Sequence, residues 1–322
     1  MPLLSAGRAP CTCGSWRRGT CLPLLSRRKF LQVTTAAAVT GGLAVSLDAG
    51  FLEPNRPQLV RVEVPLTRLP AAWDGFTIAQ LSDLHYDDEF SVVPIRRAVE
   101  VVNHLHPDMV VVTGDFVTTP YLRHNAKQAA SAAEPCAQLL GQLRAPFGVQ
   151  AVLGNHDVAL DPARVVEALQ SQGIHVVRNR SMPLEQAGTR LWLCGVDDVI
   201  EGKPDVDAAL KGIPPTEAVI LLVHEPDFAD HVARYPVDLQ LSGHSHGGQV
   251  RLPLVGAPFL PKLAKKYPWG MRRIGRLTLY TNIGLGTIRM AIRFNCPPEI
   301  TLLTLRAEAG AARKAWVLPI NG

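Results

Sequence analysis

Five short runs, the partly apolar Phe76 to Leu81 and the apolar Met109 to Val112, Val149 to Leu153, Val219 to Val223 and Val237 to Leu241, each lead into a polar block rich in Asp, Asn and His. Runs of this length, mostly β-branched or aliphatic and followed by Gly or a polar turn, predict buried strands. The intervening chain reads as helix. Val93 to Leu105 has apolar residues at three- and four-residue spacing, and Ala126 to Leu143 is Ala-rich. A third segment starts at Asp161-Pro162 and stops at Gly173, an N-cap with Pro at the first position and Gly at the end. Strands alternating with helices predict a layered α/β fold, in which ligands gather beyond the carboxyl ends of the strands.

The polar blocks are Ser82-Asp83-Leu84-His85, Gly114-Asp115, Gly154-Asn155-His156-Asp157, Val223-His224 and Gly243-His244-Ser245-His246. Taken singly, each has an ordinary reading. Asp83-x-His85 can be a capped strand exit, Gly-Asp is common turn chemistry, and His224 is one histidine at a strand end. Asn-His-Asp after a buried strand is harder to explain structurally, because clustered polar groups are costly to desolvate. Together the blocks offer seven or eight oxygen and nitrogen donors. That exceeds the about four to six that one cation takes, so two metals are expected.

In this order, D-x-H, G-D, G-N-H-D, H and G-H-x-H, the blocks resemble the calcineurin-like metallophosphoesterases over roughly residues 57 to 306. Gly195-Val196-Asp197-Asp198, Gly247-Gly248-Gln249-Val250 and Asn282-Ile283-Gly284-Leu285-Gly286 with Pro298-Glu299-Ile300 are similar to the exported, cell-envelope branch of that superfamily. The resemblance implies a four-layer α/β/β/α sandwich, two packed mixed sheets flanked by helices, with the metal site at one rim. It implies two divalent ions, manganese, zinc or iron. Asp83, His85 and His246 would hold the first, Asn155, His224 and His244 the second, and Asp115 would bridge both. It further implies hydrolysis of a phosphate ester by a hydroxide shared between cations, with no Ser or Cys nucleophile.

His156 is left outside the implied ligand set and is expected to face the leaving group as a general acid. Asp157 is expected either to orient the His156 ring or to cap a helix. Asp115 is followed by Phe116-Val117-Thr118, without the acid or Asn that many members carry shortly after this position. A non-catalytic scaffold or metal-storage protein of the same fold is the rival reading, and a scaffold should have lost ligands. None of the seven is missing.

The amino terminus carries a separate message. Ser26-Arg27-Arg28-Lys29-Phe30-Leu31 is a twin-arginine pattern, followed by an uncharged stretch from Leu31 to Leu47. Its roughly 17 residues fall short of the ~20 that span a bilayer comfortably, so residues 1–46 read as an export signal for the twin-arginine machinery, with an uncleaved membrane anchor as the alternative. Residues 47–322 form the catalytic domain in this reading. The leader holds Arg8, Arg17, Arg18, Arg27, Arg28 and Lys29 and no acid; without these six, 27 basic residues face 28 acidic ones. The basic pI therefore belongs to the targeting segment, and no nucleic-acid partner is expected. Cys11, Cys13 and Cys21 also fall in the leader, leaving Cys136, Cys194 and Cys296 in the body, where one disulfide could form and Cys194 is expected as core packing.

Lys262, Lys265, Lys266, Arg272, Arg273 and Arg276 surround Tyr267, Pro268 and Trp269. This stretch fits anionic headgroups, a charged substrate or a plain solvated loop. Arg289 and Arg293, after the turn at Gly284-Leu285-Gly286, are candidate phosphate contacts because guanidinium forks bind such oxygens. The remaining histidines, His104, His106, His124, His175 and His231, show no ligand spacing and are expected to be structural or superficial. The expected function is a phosphodiesterase or phosphomonoesterase outside the cytoplasm, on an envelope-derived or lipid-linked substrate. A close alternative is cleavage of the pyrophosphate in a nucleotide-sugar lipid precursor.

Overall fold

The computed structural model describes residues 26–120 and 126–308. Arg8, Arg17, Arg18, Cys11, Cys13, Cys21 and His124 lie outside the described residues. The chain divides into two compact units, Met1–Val45 and Ser46–Gly322. In the first, helix α1 (Arg27–Leu47) has no buried residue. Helical backbone continues through Asn55, giving 29 residues that are apolar and long enough to cross a membrane. The uncharged run is thus part of a longer helix than its composition suggested, because residues 48–55 carry on in π and 3-10 geometry.

The second unit opens with strands β1 (Gln58–Leu66), β2 (Thr77–Leu81), β3 (Met109–Val112), β4 (Val149–Ala151) and β5 (Ile174–Val176). Next come β6 (Arg180–Gln186), β7 (Thr189–Gly195), β8 (Ala218–Leu222), β9 (Leu239–Ser242), β10 (Gly270–Ile274) and β11 (Leu277–Thr281), and β12 (Glu299–Ala307) closes the series. They form two six-stranded sheets, ordered β1-β12-β2-β3-β4-β5 and β10-β11-β9-β8-β7-β6. Both are mixed: β2 to β5 run parallel with β12 antiparallel beside β2, and β7, β8, β9 and β11 run parallel between antiparallel edges.

Side-chain alternation sorts each strand into two cores. On β3, Met109 and Val111 face the core between the sheets, where they meet Ile78, Ile220, Leu222 and Leu241. Val110 and Val112 point the other way, toward helices α2 (Val92–Leu105), α4 (Ala133–Leu140) and α6 (Pro162–Ser171). On the second sheet Val219 and Leu221 pack outward against α7 (Val206–Leu210) and α8 (Ala229–Val232). The architecture is therefore the expected sandwich of helix, sheet, sheet, helix.

The Ala-rich segment forms two helices, α3 (Ala126–Ala130) and α4, rather than one. Tertiary packing divides it, since α4 lies on α2 and α6 while α3 lies against α5 (Asn155–Leu160). Helix α6 begins as its sequence indicates, with the Asp161 side chain accepting the Arg164 N–H at 3.1 Å. Cys136, Cys194 and Cys296 are all buried and unpaired, so the three body cysteines form no disulfide.

Candidate metal centre

Every polar block lies at the carboxyl end of a strand: Asp83 and His85 after β2, Asp115 after β3, Asn155 after β4, His224 after β8, and His244 and His246 after β9. To turn successive side chains into one small volume, the backbone leaves its usual range. Asp83, His85, Asp115, His244 and His246 have φ of 50°, 42°, 56°, 66° and 49°, a left-handed conformation that costs non-glycine residues and is retained mainly where function over-determines it. Gly114 (φ 97°) shows why side chains are excluded beside them. A Cβ there would lie 2.6 Å from the Gly154 nitrogen and 2.7 Å from His224 Nδ1.

Two groups result. In the first, His85 Nε2 and His246 Nε2 face each other at 3.0 Å, and His246 Nε2 lies 3.3 Å from Asp83 Oδ1. In the second, His224 Nε2 lies 3.1 Å from Asp115 Oδ2 and 3.2 Å from His244 Nδ1. Asp115 Oδ2 is also 3.6 Å from His85 Nε2, so this carboxylate touches both groups. Asn155 follows Gly154, whose backbone packs on Asp115, and its Oδ1 is buried with no hydrogen-bond partner.

The donors fit divalent cations by the way their outer atoms are tied. His224 Nδ1 lies 2.6 Å from the Thr113 carbonyl, His244 Nε2 2.8 Å from the Lys262 carbonyl, and His85 Nδ1 3.0 Å from Thr118 Oγ1. Such partners fix each ring with its other nitrogen aimed inward. In the first group the inward atoms then meet acceptor to acceptor, His85 Nε2 against His246 Nε2, and Asp83 Oδ1 and Asn155 Oδ1 have no hydrogen bond at all. Buried acceptors converging without donors are what a cation would satisfy. Asp83 with His85 and His246, and Asp115 with His224 and His244, have the spacing of metal-ligand sets, as do His85, Asp115 and His156.

Burial drives His85 down to about 3 and His244 down to about 4, and holds His246 well below the usual imidazole range. These three rings therefore present lone pairs. Burial also opposes charge on His224, but the Asp115 carboxylate beside it wins and raises it well above 6.5. Asp115 is correspondingly held well below its ordinary value, since the charges of His224 and His156 outweigh its burial. Burial, with help from the Asp115 charge and against the pull of His224, pushes Asp83 up to about 6.

Two expected roles, those of Asp157 and Arg293, are revised by position. Asp157 does not orient His156. Its carboxylate is fully buried and accepts the main-chain N–H groups of Asp115 (2.9 Å), Phe116 (2.9 Å), Val117 (3.1 Å) and Gly154 (2.9 Å). It therefore clamps the Asp115 loop to the start of α5, combining an N-terminal helix contact with a tertiary one. The His156 ring instead accepts the Thr119 N–H on Nδ1 at 2.9 Å, and its main-chain N–H donates to Asp115 Oδ1 at 2.9 Å. Its ring lies edge-on to His85 with centroids 4.9 Å apart.

Arg293 is fully buried rather than open to a substrate phosphate. Its guanidinium donates to the carbonyls of Cys296, Ile283, Gly284 and Gly286. The turn it gathers supports the centre, because Leu285 N–H donates to Ser82 O at 3.0 Å and Gly286 N–H to Asp83 O at 2.8 Å. Arg289 is exposed. Of the motif residues outside the centre, Asp197 pairs with Arg178 at 2.7 Å and Asp198 caps the turn at Ile200 and Glu201. Part of the basic and aromatic stretch is structural: Lys266 pairs with Asp230, and Asp227 accepts the N–H groups of Lys265, Lys266 and Tyr267. His104, His106 and His175 are exposed and His231 is partly buried, all away from the donors.

The family model of the calcineurin-like phosphoesterases matches residues 76–248, the span holding every one of these donors. The chain is 36% identical over 290 residues to the uncharacterized metallophosphoesterase YkuE of Bacillus subtilis, covering 88% of this chain and 98% of that one. It is 32% identical over 291 residues to the phosphodiesterase YaeI of Escherichia coli, covering 88% of this chain and 100% of that one. It is 29% identical over 334 residues to the UDP-2,3-diacylglucosamine pyrophosphatase LpxG of Chlamydia trachomatis, covering 85% and 98%. A family match across more than half of the chain and relatives aligned over nearly their whole length agree with the donors gathered at the strand ends: this chain belongs to the calcineurin-like phosphoesterases and is a metal-dependent phosphoester hydrolase.

Proposed function

We propose that the protein is a dinuclear phosphodiesterase acting outside the cytoplasm on a lipid-linked or envelope-derived phosphoester. The observation that carries the reading is Asp115 Oδ2 standing between two converging donor groups. Asp83, His85 and His246 would hold one cation, Asn155, His224 and His244 the other, and Asp115 would join them. Such a cation pair supplies Lewis acidity to phosphoryl oxygens and a water acidified toward neutral pH.

The chain's own part is to position and protonate. The Thr119 N–H on His156 Nδ1 leaves the ring proton on Nε2, the atom free to donate to a leaving-group oxygen. Asp157 fixes the Asp115 loop, and the Arg293-gathered turn fixes Asp83. The diester preference is supported by the near-complete alignment to a relative named phosphodiesterase. Pyrophosphate cleavage in a nucleotide-sugar lipid is the second reading, favoured by likeness to a relative named for that activity. Residues 1–46 act as a twin-arginine export signal or as an anchor, supported by Arg27-Arg28 at the head of an apolar helix.

The test is direct. Protein freed of metal and reloaded with manganese, zinc or iron is assayed on bis-nitrophenyl phosphate, nitrophenyl phosphate and a nucleotide-sugar lipid. Faster turnover of the diester is expected, and no hydrolysis with any metal would refute the reading. Replacing Arg27 and Arg28 with Lys should trap the chain in the cytoplasm; unchanged fractionation would reject twin-arginine export.

A further inference from the structure

Three segments distant in sequence are bonded into one body beside the loop that carries His244 and His246. Gln249 accepts the Ile288 N–H and donates to the Ile288 carbonyl at 3.2 Å. Its own carbonyl accepts the Phe294 N–H at 2.9 Å, and the Arg251 N–H donates to Phe294 O at 2.8 Å. The Arg293 N–H reaches Ala49 O at 2.9 Å, and the Asn295 N–H reaches Glu53 Oε2 at 2.9 Å. Lys262 O, farther along the same loop, is the atom that holds the His244 ring.

This body carries apolar side chains outward. Leu254 is fully exposed, Phe259 is 82% exposed, Val255 70%, Phe51 66% and Met290 62%. Scattered exposed apolar residues are ordinary, but Leu254 and Val255 sit at a turn apex. Leu252 and Gly256 pair across a tight turn whose apex is Pro253-Leu254-Val255, where polar turn formers are the norm, and Leu254 takes φ 66°. Within the loops that carry most of these side chains the charge has one sign, although Glu53, Asp227 and Asp230 lie against them. Residues 239–298 contain nine Lys and Arg and no Asp or Glu, and Lys262, Lys265 and Arg289 are exposed among them. Apolar tips rimmed by cations match an anionic lipid surface. A second copy of the chain would oppose like charges across the same face.

We propose that this surface docks the catalytic unit onto an anionic lipid bilayer, so that a lipid-borne phosphoester reaches the donors from the leaflet. The substrate consequence rests on the hydrolase reading above; the docking does not. The test is hydrogen exchange of the full metal-loaded chain in detergent, in phosphatidylcholine nanodiscs and in nanodiscs containing phosphatidylglycerol. Peptides covering residues 252–260 and 286–292 should exchange about ten-fold more slowly on the anionic nanodiscs. The double variant Leu254→Gln, Phe259→Gln should lose that protection while hydrolysing bis-nitrophenyl phosphate at the unchanged rate. Equal exchange in all three media would overturn the proposal, as would protection in detergent that grows with protein concentration, the mark of a second copy. Slowed exchange in a chain that hydrolyses nothing would support docking and refute the hydrolase reading.

Discussion

The carboxylate of Asp157 accepts the main-chain N–H of Asp115 at 2.9 Å. One buried acid thereby fixes the backbone from which another is aimed. The two arrive from different strands, so the contact ties the ends of β3 and β4 together at the point where the two donor groups meet.

Replacing Asp157 with Ala should therefore act through the Asp115 loop. The N–H groups of Asp115, Phe116, Val117 and Gly154 would lose their acceptor, at about 1–3 kcal/mol for each one left buried and unpaired. A lowered Tm and weakened metal retention are expected from thermal denaturation and metal analysis. An unchanged Tm would show that the clamp contributes nothing.

His156 should separate chemistry from metal binding. Changing it to Ala is expected to leave metal content intact and to slow cleavage of diesters with poor leaving groups about 10²–10⁴-fold. Nitrophenyl diesters, whose leaving group needs little proton assistance, should lose less. If the variant fails to retain metal, His156 belongs with His85 and Asp115 as a ligand.

Stability of the metal-free protein should fall as pH rises from 6.5 toward 8. His224 is raised well above 6.5 on folding, so its contribution is complete below 6.5 and is lost as pH climbs through the elevated value. Asp157, pushed by burial and the Asp115 charge up to about 8, is more protonated folded than unfolded and acts in the same direction until pH passes that value. The depressed histidines His85 and His244 disfavour folding at low pH; that penalty fades as pH rises to 6.5 and gives no slope above it. Metal should remove much of the decline, because a cation takes over the protons' role of balancing the carboxylates. Denaturation across this pH range with and without chelator checks the sign, and a rising metal-free Tm would contradict it.

Arg293→Met should weaken the centre without touching it. The carbonyls of Ile283, Gly284 and Gly286 would lose their shared donor, and the turn resting on Ser82 and Asp83 would loosen. Metal affinity and Tm are both expected to drop, with bis-nitrophenyl phosphate KM nearly constant at saturating metal. A rise in KM alone would restore Arg293 as a substrate contact.

The donor residues were legible because each follows an apolar run, and β3 begins and ends where its sequence indicates, at Met109 and Val112. The layered α/β class followed from the same runs alternating with helices, and the two packed sheets from the family resemblance. The supports were not legible. Asp157 meets main-chain N–H groups from a loop some 40 residues earlier, and main-chain atoms leave no signature in side-chain spacing. Arg293 reads as a surface fork until the carbonyls around it are seen. Thr118, three residues after Asp115, supports the His85 ring rather than Asp115. The break between α3 and α4 depends on which neighbours each half meets, which local propensity does not encode.

Anomalous diffraction from crystals of the manganese-loaded protein tests the centre most directly. Two peaks are expected about 3.5–4 Å apart, one beside Asp83, His85 and His246, the other beside Asn155, His224 and His244, with Asp115 between them. Asp115→Asn should lose occupancy at both. A single peak, or a pair with Asp115 touching only one, would contradict a shared dinuclear centre.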